Sequence, residues 1–306
     1  MSGGSAGEVP VPFAVPERLW LVDSTNHYLV ELARSGLGDG SEVPEGYAVV
    51  AECQSEGRGR LARRWVAPAG TAVLCSILFR PDLDPEQLHL TAWAVALAAA
   101  RACREVAGVE LSLKWPNDLL AGPDGAAGKP TGPDGAAGKP EAPCGGNPDA
   151  LARHPGAERP GVERKVAGVL SEVVPTGVVV GIGINVNWPP DWPPASPEDP
   201  ELAFIAQHAT ALNRVAGREI DRNELVDRLL RFTGKLNARL ASDQGRRALA
   251  SEYRLACSTI GREVRVGLAG ETVAGSAMGV DDGGCLLVST ATGVRTISAG
   301  DVVHVR

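Results

Sequence analysis

Up to about residue 256, apolar positions fall in helical spacing or short continuous runs; beyond residue 260 they alternate every second residue. Apolar runs at 47–53 and 72–79 predict buried strands, and residues 111–114 predict a short one. Two β-branched runs, 166–173 and 177–186, flank a Pro-Thr-Gly turn and read as a hairpin. The Ala- and Leu-rich stretch 86–106 predicts a long helix, and further helices are expected over 201–215, 222–240 and 246–256. Asp23-Ser24-Thr25-Asn26 offers N-cap residues ahead of an amphipathic stretch ending near residue 35. Five short strands at 263–266, 272–280, 285–288, 294–297 and 302–305 predict a small β-barrel of the SH3-like kind.

Three segments break the pattern. Residues 1–17 are rich in Gly, Ser and Pro and read as a flexible tail. Residues 188–200 form a proline-laden loop. Gly-Pro-Asp-Gly-Ala-Ala-Gly-Lys-Pro occurs at 122–130 and again at 132–140, inside a stretch (121–160) too poor in apolar surface to order itself. It reads as a disordered insertion in a surface loop. The expected organisation is a main domain over 18–256, α/β or α+β with one sheet backed by helices, and a barrel over 257–306.

Composition narrows the class. The chain has 306 residues, 44% of them hydrophobic, and a net charge of −7. That is ample for a core and shows no basic stripe of the sort nucleic-acid binders carry. No apolar run approaches the ~20 residues of a bilayer span, and no secretory signal is visible, so cytoplasm is the default expectation. Six cysteines and five histidines are dispersed, without zinc spacing or triad order.

Against this acidic background, Arg58, Arg60, Arg63 and Arg64 fall within seven residues of Gln54-Ser-Glu-Gly-Arg-Gly-Arg-Leu-Ala-Arg-Arg-Trp65. Crowded guanidinium groups repel and resist unpaired burial, while Gly57 and Gly59 let backbone approach a ligand. The loop reads as an anion site for phosphate or carboxylate; a plain solvated loop is the alternative. Gly57-Arg-Gly-Arg-Leu-Ala62 mimics a dinucleotide fingerprint, but Pro68 and Gly70 stop the helix that motif needs. Lys114-Trp115-Pro116-Asn117-Asp118 follows a strand and suits either a phosphate site or a turn. Lys165 closes the insertion, at the other end of the same loop as Lys114. Gly181 and Gly183 share one face of a strand, which implies a bulge or a close-lying ligand.

Taken in order, Ser24-Thr25-Asn26, Gln54 with Gly57-Arg58-Gly59-Arg60-x-x-Arg63-x-Trp65, Lys114-Trp-Pro-Asn-Asp118, Lys165-x-x-Gly168-x-Leu170 and Gly181-x-Gly183-x-Asn185 resemble the biotin–protein ligases. The resemblance spans about residues 19–305 apart from the insertion, which is atypical, and looks like the short, monofunctional type without an N-terminal helix-turn-helix. It implies an α+β core with a mixed sheet backed by helices, of the biotin–lipoate transferase kind, plus the SH3-like barrel. It implies condensation of biotin with ATP to biotinyl-5′-AMP, then transfer to a lysine of a biotin carboxyl carrier domain of an acyl-CoA or pyruvate carboxylase.

By that resemblance Arg60, Lys114 and Lys165 are the catalytic cations. Ser24, Thr25, Asn26, Gln54, Gly57, Arg58, Gly59, Arg60, Lys165, Gly168, Leu170, Gly181 and Gly183 would bind biotin. Arg60, Arg63, Trp65, Lys114, Asn117 and Asn185 would bind ATP, with Trp65 at the adenine. Mg²⁺ is expected with the phosphates, and no protein metal site is. No nucleic-acid or membrane partner is implied, and the chain could be a monomer or homodimer. A lipoate or octanoate transferase of the same fold, or a non-enzymatic nucleic-acid-binding module, are the rival readings.

Overall fold

A computed structural model describes residues 12–122, 162–194, 198–268 and 270–305. From residue 123 onward the expected insertion lies outside the described residues, as do residues 1–11 of the expected tail. The main domain runs β1 (Glu17–Val22), α1 (Thr25–Ser35), β2 (Ala48–Gln54), β3 (Ala72–Phe79), α2 (His89–Ala107), β4 (Leu111–Lys114), β5 (Asp118–Ala121), β6 (Arg164–Val174) and β7 (Gly177–Asn185). Then follow α3 (Pro200–His208), α4 (Leu212–Ala216), α5 (Arg222–Asn237) and α6 (Asp243–Ala256). The seven strands form one mixed sheet, ordered β1-β2-β3-β7-β6-β5-β4, with only β1 and β2 parallel. Architecture and fold class agree with the sequence reading.

All eight residues of β3 are buried because both faces of the sheet are covered. Val73, Cys75, Ile77 and Phe79 meet the larger core, made with α2, α5 and α6. Leu78 meets the smaller core with Leu29 and Val30 of α1. Alanines let α2 lie close to the sheet, and Trp93 stacks on Tyr253 of α6 with ring centroids 4.0 Å apart.

The predicted strands match β2, β3, β4, β6 and β7 closely. Three expectations are corrected. Residues 12–17 do not trail loosely: Phe13 N donates to Gly46 O (2.8 Å), its ring meets Phe79, and Glu17 already begins β1. The partly buried Phe13 ring, packed on the larger core, docks that short stretch. The strand β1 escaped notice because Trp20 and Leu21 point outward on the sheet edge, 74% and 59% exposed. The helix expected over 201–215 is broken after His208, where Ala209 bridges Lys165 and Thr210 N donates to Lys165 O (2.9 Å). Tertiary pairing overrides the local preference there.

The C-terminal module is a five-stranded antiparallel sheet of β8 (Glu263–Gly267), β9 (Thr272–Val280), β10 (Leu286–Thr290), β11 (Gly293–Ile297) and β12 (Asp301–His304). Its order is β11-β10-β9-β8-β12. Alternate residues (Val264, Val266, Val273, Leu286, Val288, Val302) are buried, as the alternating pattern predicts.

Candidate functional site

The site lies on the sheet face that α1 only half covers. The helix starts immediately after Ser24, whose extended backbone occupies the N-cap but whose hydroxyl makes no capping bond. Gln54 at the end of β2 takes over the capping role: its Oε1 accepts from Thr25 N (2.8 Å) and Thr25 Oγ1 (3.0 Å). The Ser76 hydroxyl bonds Thr25 Oγ1 (2.8 Å) and Asn26 Oδ1 (2.7 Å). Asn26 Nδ2 donates to Leu170 O and to Glu172 Oε1 (3.0 Å). A rigid polar wall therefore closes one end of a slot.

Glycines make the slot's floor. A Cβ on Gly181 would lie 2.0 Å from Asn26 Oδ1, and one on Gly183 would lie 2.4 Å from the Trp65 ring. Gly168 is less crowded, with Lys165 Nζ 2.9 Å and the Trp65 ring 3.3 Å from where a Cβ would lie. Ser24, Thr25, Gln54, Arg58 and Leu170 complete the lining around a remaining cavity of about 30 Å³. Trp65 takes up the rest, and its Nε1 is buried without a hydrogen-bond partner. A water or two fits the remainder; a bicyclic acid does not.

Beyond Trp65 the cations gather. Lys165 Nζ sits 2.6 Å from Asp118 Oδ1 and 5.6 Å from the Trp65 ring centre. Lys114 lies opposite Asp118 in the β4–β5 hairpin. Arg60 donates to Asn117 Oδ1 (3.3 Å) and Gly300 O (3.5 Å), and Arg63 pairs with Asp301 (2.6 Å). Burial pushes the Arg60 guanidinium and the Lys114 ammonium below their ordinary values, and the charges of Asp118 and Asp301 push back. Lys165 pairs with Asp118, which stands across the β4–β5 hairpin from Lys114.

The arginine loop itself is held by Gly59 N to Arg63 O (2.7 Å) and Trp65 N to Gly57 O (2.9 Å). Leu61 and Ala62 both adopt left-handed backbone, φ 55° and 59°, which stores strain at its tip. α3 leans on it, with Glu201 accepting from Arg64 N (2.6 Å) and Phe204 under Arg63.

Most of the residues read from the sequence converge here. Asn185 does not join the cations: it is buried and its Nδ2 donates to Thr210 O (3.0 Å). Trp65, expected beside a nucleotide base, lies in the slot. Ser76, Asp118, Glu172 and Asp301 were missed. Asp118 was legible from its place in the quoted motif, whereas Asp301 reaches the site across about 240 residues and gives no local sign.

Glycine-floored slot and converging cations suit a small anionic ligand, held on a helix-backed mixed sheet with a C-terminal SH3-like module. A model of the biotin/lipoate A/B protein ligase family matches residues 21–188, and one of the biotin protein ligase C-terminal domain matches residues 259–305. The chain belongs to the biotin protein ligase family. It is 33% identical to the biotin–[acetyl-CoA-carboxylase] ligase of Mycobacterium tuberculosis, over 92% of this chain and 86% of that protein. It is 28% identical to the bifunctional ligase/repressor BirA of Bacillus subtilis, over 92% of this chain and 71% of that protein. Among solved structures, the biotin protein ligase of Aquifex aeolicus in complex with biotin and ATP superposes with a TM-score of 0.66 at 25% identity, over 94% of this chain and 97% of that one.

Proposed function

We propose that this chain activates biotin with ATP and passes the biotinyl group to a lysine of a carrier domain. One observation carries the reading: a glycine-floored slot is closed at one end by the Ser24–Gln54 polar wall, and Lys165, paired with Asp118, lies against the Trp65 ring that lines it. A ring bearing a urea would face the polar wall, and its acid chain would point at the cations. The biotin carboxylate oxygen attacks the α-phosphorus of ATP, a P–O bond forms, and the bond to pyrophosphate breaks. Two anions must meet, so Arg60, Lys114 and Lys165 offset their repulsion and the charge on the leaving group. In the second step a neutral lysine amine attacks the biotinyl carbonyl carbon, and AMP leaves.

Trp65 fills the slot, so the ring enters only as the indole moves. The strained, glycine-hinged loop suits that movement and would close again over the mixed anhydride, keeping water out. A magnesium ion arriving with the nucleotide would draw its ligands from phosphate and water, because among the described residues no three His, Cys, Asp or Glu side chains converge on a metal position. The proposed acceptor is the carrier domain of a biotin-dependent carboxylase, by analogy with the named relatives. The match to a biotin-specific C-terminal domain favours biotin over lipoate.

Biotin-dependent exchange of pyrophosphate into ATP, with lipoate and octanoate run alongside, tests the reading. Exchange with biotin alone is expected. Calorimetry showing no heat with biotin, with or without nucleotide, would overturn it.

A further inference from the structure

The backbone on either side of Lys114 is held by residues from outside the main sheet. Its preceding residue, Leu113, accepts from Ser258 N (2.7 Å) and Ser258 Oγ (3.2 Å) through its carbonyl oxygen. Its following residue, Trp115, donates its backbone N–H to Thr259 Oγ1 (3.0 Å) and its indole N–H to Gly284 O (2.9 Å). Both peptide neighbours of Lys114 are thus clasped by the segment that leads into the barrel and by the barrel itself.

Thr259 is fully buried, and its hydroxyl oxygen also meets His304 Nε2 at 3.1 Å. The other ring nitrogen, Nδ1, is 3.2 Å from Arg262 Nη1, which can only donate. His304 Nδ1 also faces Glu163 Oε2 at 3.7 Å, so the ring is fixed between Arg262 and Glu163 on one side, while on the other its Nε2 bonds the Thr259 hydroxyl, which accepts from the Trp115 amide. Arg262 is fixed in turn by a two-pronged contact with Glu163 (2.6 and 2.7 Å). Glu163, Arg262, Thr259 and His304 are not among the residues that line the slot, yet their contacts end on the Trp115 peptide next to Lys114.

We propose that Thr259, oriented by His304, is a positioning residue for Lys114 in adenylate formation. The inference rests on the biotin-activating reading above. A valine at 259 keeps the shape and removes the acceptor, leaving the Trp115 amide buried without a partner. The end of β4 then relaxes and Lys114 loses its aim, while the slot, built from other strands, keeps its shape.

The experiment compares the full-length wild type with Thr259→Val and Thr259→Ser. Three readouts are taken: biotin affinity by calorimetry, the rate of biotin-dependent ATP–pyrophosphate exchange at saturating biotin, and its KM for ATP. For Thr259→Val an exchange efficiency toward ATP lower by about tenfold is expected, the equivalent of one buried hydrogen bond. Biotin affinity should stay within about twofold on the same reasoning, and Thr259→Ser should restore exchange. Should Thr259→Val not fold, His304→Leu is read in the same assays with the same expectation. A folded variant with wild-type exchange parameters, or one whose biotin affinity falls in parallel with exchange, overturns the proposal. A wild type that shows no exchange at all instead refutes the functional reading and takes this one with it.

Discussion

One face of the seven-stranded sheet is closed by α2 with α5 and α6 beside it; the other is shared between α1 and the arginine loop. Alternate residues of β7 serve the two sides. Val180, Ile182 and Ile184 are buried against the helices, while Gly181 and Gly183 floor the slot. Glycine weakens a strand. Each aliphatic side chain buried on the opposite face returns about 1.5–3 kcal/mol. The binding face is therefore free to be empty and polar because the packing face is complete. The sharpest way to break this comparison is a pair of neighbours. Ile184→Ala should cost about 2–5 kcal/mol in urea unfolding, with biotin affinity of the folded protein unchanged. Gly183→Val should abolish the heat of biotin binding and, by displacing the Trp65 ring 2.4 Å from its new Cβ, lower the urea midpoint less than Ile184→Ala does. A Gly183→Val protein that binds biotin normally would remove the glycine floor from the account.

Within the binding face, the polar wall and the cationic end should also separate. Arg60 is the most central cation, reaching Asn117 and the barrel's Gly300. Loss of a charge-assisted contact of this kind is worth about 1.5–3 kcal/mol. Arg60→Ala should thus slow biotin-dependent pyrophosphate exchange by about tenfold to a hundredfold on that scale. Arg58, which faces Glu172 at 3.9 Å at the slot's other end, should instead weaken biotin binding when replaced by alanine, with a smaller loss of rate at saturating biotin. Equal effects of the two changes on exchange at saturation would mean that the slot does not divide in this way.

The packing face was the more legible of the two. Runs such as 72–79 and 177–186 announce themselves because burial on both sides leaves Ser76 and Asn185 as their only polar residues. The binding face was legible only where several rare residues sit together, as in Gly57 to Trp65 and Lys114 to Asp118. What escaped was set by contacts between distant segments. Asp301 meets Arg63 only because the barrel folds back on the loop, and Ala209 leaves helical geometry only because β6 offers Lys165 a partner. Ser76 is one polar residue in an otherwise apolar run, with no local sign that it bonds Thr25 and Asn26. The Trp65 position could not be read either: an aromatic after an arginine loop fits a nucleotide base or a slot equally well until Gly168 and Gly183 are seen beneath it.

The smallest expected effect lies at the seam between the two domains, where neither rule of the sheet applies. Glu163 is held by His304 and Arg262, and those contacts, against the opposing effect of burial, lower its carboxyl from the ordinary 4.5 to about 2. A carboxylate with a depressed folded value stabilises the fold above its unfolded value and loses that contribution as pH falls. The contribution should therefore be complete above pH 4.5 and fade toward pH 2. The seam is partly open to water, which limits the effect to about 1 kcal/mol. Glu163→Gln should accordingly melt slightly below wild type at neutral pH, and the two curves should converge as the solution is acidified through that window. A gap that widens on acidification would have the wrong sign for a paired carboxylate, and would show that Glu163 is held in the fold by its protonated form.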